Sequence, residues 1–302
     1  DYTTPGGRRL FHATGPVSWE SPTATTRTRN PYSTRGCYFL TENDEEPLTQ
    51  DSATFIAAAY PTNDDYHSLY EVDDFAWYHS GRNLYDSKLL AAQQRNRYTL
   101  DGFGTDGKLT VVLTSDGIGT VQVAVNDTVV GEIAFTNAPT SHDKANLRTT
   151  TFNVNGLLSE STIVTLTQTA GTANMRLDYL ALTMPTPAPM PDLEKEPLPT
   201  PEFVYRITNQ DHHADPQADM VIIIPTAQQT ASQAQRLKKL HKEKDSLRVN
   251  IVPADELFNE FSSGTPDANA YRRYLKMLYD RAETEADMPR YLLLFGDGAW
   301  ES

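Results

Sequence analysis

A run of prolines divides the sequence into two parts whose hydrophobic residues follow different periods. Seven of the seventeen residues from Pro185 to Pro201 are proline. This spacing favours an extended polyproline II backbone, which could span about 50 Å at roughly 3.1 Å per residue. We predict that 185–201 is a linker between one domain at 1–184 and another at 202–302. The alternative is a PxxP ligand for a partner module.

The part before the prolines contains short apolar or alternating runs near 111–113, 121–125, 163–166 and 177–179. Turn signals such as Asp116-Gly117 separate them. Short strands at regular intervals, with no helical period between them, are typical of an antiparallel sandwich. We therefore predict an all-β sandwich or jelly-roll domain. Residues 38–40 and 55–57 are predicted as further strands, and 42–46 and 63–65 as acidic loops.

The part after the prolines changes to the pattern of an α/β sheet. Residues 220–225 (MVIIIP) form a continuous apolar run, which is typical of a strand covered on both faces. Residues 248–252 and 291–295 are predicted as a second strand and a third buried strand. Helical segments between the strands predict a parallel sheet. Three strands make only half of such a sheet, so we expect the domain to be truncated.

Three segments between these strands have helical character. A helix is predicted over 228–243, with Ala231, Ala234, Leu237 and His241 on one face, and a short amphipathic turn near 257–261. A longer helix is predicted to open at Thr265-Pro266-Asp267, with Pro266 at its first position. Its apolar face has helical spacing. The residues of that face are Tyr271, Tyr274, Leu275, Leu278 and Ala282.

Composition excludes several classes of function. The formal net charge is −14. An acidic chain without a basic run is a poor partner for nucleic acid or for an anionic membrane. No apolar stretch approaches the roughly 18 residues that a membrane-spanning helix needs. The single cysteine, Cys37, excludes an internal disulfide framework and a cysteine-based metal site.

The ends of the predicted parallel strands indicate what the α/β part could bind. The turn after 220–225 contains no glycine, which disfavours NAD, FAD and ATP sites. Asp297, Gly298 and Trp300 follow the third strand, at the carboxyl edge where open α/β sheets place ligands. We predict that these three residues form the edge of a substrate pocket. A simple β-turn is the alternative.

Other chemically reactive residues are assigned structural roles. Adjacent histidines in 211–215 point to opposite faces of an extended segment, so we predict a solvated loop there rather than a zinc site. His67 and His79 are predicted to pack or to form hydrogen bonds rather than to bind a metal, and Cys37 to be a small buried hydrophobe. We expect no cofactor. The acidic loops could hold calcium, although none has EF-hand spacing.

Several segments resemble the gingipain-like C25 cysteine peptidases, and among them the sortases of the type IX secretion system in Bacteroidota. The α/β segments are the more specific, and the similarity covers nearly the whole chain. The segments are 258–267 (FNEFSSGTPD), 270–276 (AYRRYLK) and 291–298 (YLLLFGDG) in the α/β part, with 30–41, 80–82 and 176–179 before the prolines.

The resemblance implies a caspase-like α/β peptidase domain with a His–Cys dyad, of which this chain holds the N-terminal part. Both dyad residues are expected after Ser302, so no catalytic residue is assigned here and the 302-residue chain is expected to be inactive. A sortase of this kind removes the C-terminal sorting domain of secreted cargo and transfers the cargo to anionic lipopolysaccharide. The implied partners are that cargo, the lipopolysaccharide and outer-membrane secretion components. The implied location is the cell surface.

Two alternatives to the sortase remain open. One is a secreted gingipain-like endopeptidase that cleaves general Arg or Lys substrates. The other is a non-enzymatic surface module whose β domain binds glycan or a partner protein.

Overall fold

The computed structural model describes residues 1–41, 48–62, 64–78, 83–140, 142–187, 189–207, 210–227 and 230–296. No helix within these ranges combines the length and apolar character that a bilayer crossing needs. The strands are β1 (Tyr2–Thr3), β2 (Arg9–Leu10), β3 (Val17–Trp19), β4 (Arg27–Arg29), β5 (Tyr66–Glu71), β6 (Arg95–Asp101), β7 (Lys108–Ser115), β8 (Gly119–Val125), β9 (Thr128–Phe135), β10 (Asn146–Asn153), β11 (Ser161–Gly171), β12 (Met175–Met184), β13 (Met220–Ile224), β14 (Val249–Pro253) and β15 (Tyr291–Leu294). The helices are α1 (Ser52–Ala59), α2 (Ala231–Lys244), α3 (Ala254–Phe261) and α4 (Asn269–Asp280), with 3-10 turns at His212–Ala214 and Glu285–Asp287.

Eight of the strands form an antiparallel sandwich, as the sequence predicts. One sheet has the order β10-β7-β12-β5 and the other β6-β11-β8-β9. Alternate residues of β8 (Val121, Val123 and Val125) are fully buried and pack against Leu109 and Leu113 of the facing sheet. This alternation follows from the two-residue period of a strand, which sends successive side chains to opposite faces.

A hairpin of β3 and β4 covers the outer face of the sheet that contains β12. Trp19 stacks on His67 with ring centroids 3.9 Å apart, and His67 Nε2 lies 2.8 Å from the carbonyl oxygen of Ala24. The packing role predicted for His67 is therefore confirmed, and burial lowers the pKa of its imidazole. His79 lies outside the described residues.

Ion pairs hold the same hairpin against the sheet. Arg27 pairs with Glu71 and with Asp178, and Arg29 pairs with Glu71 and Asp73. All five side chains are less than one-fifth exposed. Burial raises the pKa of Asp178 to about 6, although the neighbouring Arg27 opposes the shift.

Two strands predicted in the first ninety residues are wrong. Residues 55–57 lie within α1, because Asp51 caps this alanine-rich segment by accepting a hydrogen bond from the amide of Thr54 at 2.9 Å. Residues 38–40 form no regular element, and Leu40 is 98% exposed. The predicted acidic loop at 42–46 lies outside the described residues, as does Asn63 of the loop predicted at 63–65.

The three strands after the prolines form a parallel sheet in the order β14-β13-β15, which confirms the predicted strands and their direction. Every residue of the central strand β13 is buried. Helix α2 packs on one face of the sheet, where Ala234 contacts the cluster of Ile222 and Ile224. Helices α3 and α4 pack on the other face, against Val221 and Ile223.

The prediction of a third buried strand is wrong in part, because β15 is covered on one face only. Leu293 packs against the α2 side of the sheet. Leu292 is 45% exposed and Leu294 59% exposed on the opposite face, where α3 and α4 cover β13 and β14 alone.

The helix boundaries also differ from the prediction. The turn expected near 257–261 is helix α3, which begins at Ala254. Helix α4 begins at Asn269 rather than near Pro266, and Asp267 accepts a hydrogen bond from the Asn269 amide at 2.8 Å. Tyr274 and Leu278 of the predicted apolar face are fully buried.

Candidate functional site

The carboxyl ends of the three parallel strands meet at one edge of the sheet. The amide of Phe295 donates to the carbonyl of Ile223 at 2.8 Å. This bond brings Gly296 beside Pro225, whose ring a side chain at position 296 would meet at 3.4 Å. The predicted pocket-edge residues Asp297, Gly298 and Trp300 follow directly in the sequence, but they lie outside the described residues. Their role stays a prediction.

The segment 258–267, whose sequence resembles the C25 peptidases, forms the second half of α3 and the loop after it. Within this segment, Asn259 accepts a hydrogen bond from the Tyr205 hydroxyl at 2.9 Å and donates to Gln210 at 3.1 Å. The carbonyl of Pro266 accepts a hydrogen bond from Asn30 at 3.4 Å. We call 258–267 the junction segment, because it contacts both the residues that precede β13 (Tyr205 and Gln210) and the N-terminal part of the chain (Asn30).

Glu260 is the main anchor within the junction segment. Its carboxylate accepts hydrogen bonds from Gln210 Nε2 at 2.8 Å and from the backbone amides of His212 at 2.9 Å and His213 at 3.1 Å. His213 Nδ1 lies 2.7 Å from the same carboxylate. Burial alone would raise the pKa of Glu260, but these donors hold it below its usual value. Glu260 is therefore ionised, and its hydrogen bonds hold residues 210–213 against α3.

His212 forms a second buried contact between the same segment and the helices. Its Nδ1 lies 2.9 Å from Asp215 and its Nε2 lies 2.8 Å from Glu256 of α3, while the Tyr274 hydroxyl of α4 donates to Asp215 at 2.7 Å. Burial alone would lower the pKa of His212, but the two carboxylates raise it to about 9. The ring is cationic at neutral pH, and it links 211–215 to α3 directly and to α4 through Asp215.

The prediction of a solvated loop at 211–215 is therefore wrong for His212, whose side chain is only 13% exposed. The two histidines do point to different partners, as the sequence indicates. Asp211, His213 and Glu260 bring candidate metal-ligand atoms within 4.8 Å of one another. However, the four donors to Glu260 occupy the lone pairs of its carboxylate. The arrangement fits a hydrogen-bonded anchor better than a metal centre.

A cleft of about 470 Å³ lies between the junction segment and the N-terminal residues. Arg35, Cys37 and Phe39 line one side, and Ser263 and Thr265 line the other. Gly264 has φ +79°, a left-handed conformation that favours glycine. A side chain there would also lie 3.1 Å from the Cβ of Cys37. The tight turn thus allows the N-terminal segment to pack closely against α3.

The prediction that Cys37 is buried is wrong, since the residue is half-buried at the wall of this cleft. Within the described chain its thiol takes part in no hydrogen bond, so nothing there activates it as a nucleophile.

Comparison with protein families decides what the C-terminal part is. Residues 213–302 match the description Peptidase family C25. This part of the chain is a C25 peptidase segment. It contains the junction segment, α4 and β15, which are the elements whose sequence resembles this family, together with β13 and β14. A comparison with curated protein sequences returns no match.

Comparison with solved structures extends the similarity beyond the C25 segment. The chain matches the crystal structure of dimeric latent PorU from Porphyromonas gingivalis with a TM-score of 0.69 and 19% identity. The match covers 96% of this chain and 36% of that one. The chain therefore has the fold of the corresponding part of PorU and spans about a third of its length.

Two further likenesses are too weak to support an argument. A family 35 carbohydrate binding module from Clostridium thermocellum matches with 12% identity, 38% coverage of this chain, 90% coverage of the module and a TM-score of 0.28. The K1 cleaved adhesin domain of Lys-gingipain from Porphyromonas gingivalis W83 matches with 14% identity, 29% coverage of this chain, 62% coverage of the adhesin domain and a TM-score of 0.24.

Sequence reasoning missed the anchors Glu260 and His212. Glu260 lies in a recognised segment, but its partners are 47 to 50 residues earlier. One signal was available. A glutamate three residues after the buried Leu257 of a helix lies beside the apolar face and needs hydrogen-bond donors, and the adjacent His212 and His213 are candidates for that role.

Proposed function

We propose that this chain is part of a PorU-type C25 cysteine peptidase. That enzyme acts as the cell-surface sortase of a type IX secretion system. It removes the C-terminal sorting domain of secreted cargo and transfers the cargo to anionic lipopolysaccharide. The observation that carries the proposal is the joint match, with a C25 segment at 213–302 and the PorU fold over 96% of the chain.

In the proposed enzyme, an imidazole beyond Ser302 takes the proton of a thiol from the same region, and the thiolate attacks the peptide carbonyl. The C–N bond breaks, the sorting domain leaves as the amine with the proton returned by the imidazolium, and the cargo stays on the sulfur as an acyl-enzyme. An amine on the acceptor, rather than water, then resolves the acyl-enzyme. In this proposal the C25 segment contributes strands β13–β15, which form the first half of the catalytic sheet, and the helices that cover them. We propose that Asp297, Gly298 and Trp300 form an edge of the substrate pocket at the carboxyl side of that sheet.

We also propose that 1–184 and 202–302 are separate domains joined by 185–201. The antiparallel strands all precede Pro185, and the parallel strands all follow Pro201. Contacts of the intervening residues with the N-terminus support a linker that lies along a surface. The carboxylate of Glu194 accepts hydrogen bonds from the Thr4 hydroxyl at 3.0 Å and from the Gly6 amide at 2.8 Å.

The experiment that tests the activity compares cargo in three strains of the host bacterium: wild type, a deletion of the full-length gene, and the deletion complemented with it. We expect cargo in the deletion strain to keep its sorting domain and to lose its lipopolysaccharide-linked form on immunoblots. Cargo that matures normally in the deletion strain would contradict the proposal. If the purified protein cleaves general Arg or Lys peptides while cargo maturation does not depend on it, the secreted endopeptidase is the better description.

Three substitutions in the full-length protein test the pocket edge. We expect Asp297→Asn and Asp297→Ala both to stop cargo maturation while the protein stays folded, because each removes the charge. Cys37→Ser is the matched control and should leave maturation intact, since the thiol forms no hydrogen bond in the described chain. Maturation that survives Asn but not Ala would assign Asp297 to the turn. Maturation that survives both substitutions would remove the residue from the site.

A further inference from the structure

The residues that lead from the prolines towards the C25 segment form no helix, strand or turn. Over 201–207 (PEFVYRI), no amide or carbonyl makes a backbone–backbone hydrogen bond within the described chain. Two side-chain contacts are present at the surface. Glu202 pairs with Arg35 at 3.0 Å, and the Tyr205 hydroxyl donates to Asn259 at 2.9 Å. The backbone of 201–207 therefore keeps its donors and acceptors available to an added molecule.

All seven residues of 201–207 are exposed, although four of them are large and apolar. Phe203 is 82% exposed and Val204 68% exposed. Adjacent apolar residues at the surface mark sites where another protein binds. A protein that binds an extended peptide pairs with its main chain and places its side chains in pockets. Residues 201–207 have the accessibility and the composition of such a peptide.

Arg206 differs from comparable arginines because its guanidinium has no partner. Six arginines of the described chain lie outside the helices and strands. Five of them form a hydrogen bond with a carboxylate or a backbone carbonyl, namely Arg8, Arg35, Arg248, Arg281 and Arg290. Arg206 is exposed and makes no hydrogen bond or ion pair with a described residue. An acidic pocket of another protein would meet no competitor for this guanidinium.

We propose that the Arg206–Ile207 bond is a processing site for an Arg-specific endopeptidase. Water adds a hydroxyl to the carbonyl carbon of Arg206 and the C–N bond breaks. Ile207 leaves as an amine that carries the second proton of the water. The products are 1–206, with a new carboxylate, and a second product that begins at Ile207. Exposed segments whose backbone is unpaired are the preferred sites of such cleavage.

Cleavage at this bond would divide the chain without interrupting a described strand or helix. Strands β1–β12 and α1 stay on the first product, and β13–β15 and α2–α4 stay on the second. The start of the second product stays on α3, because Gln210 donates to Glu260 at 2.8 Å. We therefore expect both products to keep their folds. The processing site is inferred from accessibility and charge and does not depend on the proposed sortase activity.

The test is limited digestion of the purified full-length protein with endoproteinase Arg-C, followed by N-terminal sequencing of the fragments. We expect the first cut within 1–302 to give a fragment that begins Ile-Thr-Asn-Gln-Asp, from residue 207. Arg206→Gln should slow this cut by about a hundredfold or more, because a pocket built to pair with a charged group rejects a side chain that lacks it. The side chain is exposed, so the variant should unfold as the wild type does.

The matched control is Arg148→Gln, which removes an exposed arginine from β10 and should leave the cut before Ile207 unchanged. A first cut after any other arginine of 1–302 would overturn the proposal, because accessibility would then not select the site. In the host, an antibody to the C25 segment should detect the fragment in the wild type and not in a strain that carries Arg206→Gln. Absence of the fragment from the wild type would also overturn the proposal. Cargo maturation, measured separately, reports on the sortase proposal and not on this one.

Discussion

Removing the carboxylate of Glu260 should destabilise the C25 segment more than removing any exposed glutamate. In Glu260→Ala the backbone amides of His212 and His213 lose their acceptor, and so do Gln210 and the His213 ring. Each amide left unsatisfied costs about 1–3 kcal/mol, with the lower end applying to the more exposed His213. We expect the free energy of unfolding to fall by about 3 kcal/mol.

Glu260→Gln separates the charge from the shape of the side chain. One acceptor oxygen remains, but the amide NH₂ now faces donors from the backbone, so a loss of about 1.5–3 kcal/mol is expected. Urea denaturation followed by circular dichroism measures both variants. The control is Glu243→Ala on α2, whose side chain is 63% exposed and which should change stability by less than about 0.5 kcal/mol. If Glu260→Ala unfolds within 0.5 kcal/mol of the wild type, the carboxylate is not an anchor.

Three further predictions concern pH and backbone geometry. The native pKa of His212 is raised to about 9 from 6.5, so its stabilising contribution should be complete below about pH 6.5 and disappear as the pH rises through 9. His212→Gln should remove that loss from denaturation curves taken between pH 6 and 10. Burial raises the pKa of Asp178 to about 6 from 3.8, so this carboxyl should contribute increasing stability as the pH falls from above 6 towards 4. Carboxyl-carbon NMR should give a titration midpoint near 6, and a midpoint at or below 4 would contradict the burial argument. Gly264→Ala should lower the melting temperature more than Gly156→Ala. Both glycines have positive φ, at +79° and +74°, but only Gly264 lies against Cys37. Equal shifts would show that the contact with Cys37 has no effect.

The sequence predicts elements that depend on local patterns. The five apolar residues of β13 and the alternation of β8 are correctly placed. Burial of a strand on both faces requires a continuous apolar run, and burial on one face requires alternating apolar residues, so both patterns can be read from the sequence. Residues 55–57 are misassigned because a short apolar run fits a strand or a helix equally well. In this segment Asp51 caps the first turn, which favours the helix.

The contacts of the candidate site are harder to predict because they join distant parts of the chain. His212 meets Glu256 across 44 residues, and Asn30 meets Pro266 across 236. No local period encodes such pairs. The resemblance to C25 peptidases identifies 258–267 as a distinctive segment, but only the three-dimensional arrangement shows that its residues hold other segments in place.

The partly uncovered strand β15 has a consequence for handling the chain in isolation. It pairs with β13 alone in the described chain, so its other edge presents unpaired backbone donors and acceptors, with Leu292 and Leu294 exposed beside them. An apolar strand with one free edge is a template on which another copy can add a strand. The 302-residue chain should therefore self-associate as its concentration rises. Light scattering should show an apparent mass that increases with protein concentration. Charged substitutions at positions 292 and 294 would suppress the association without touching either helical layer.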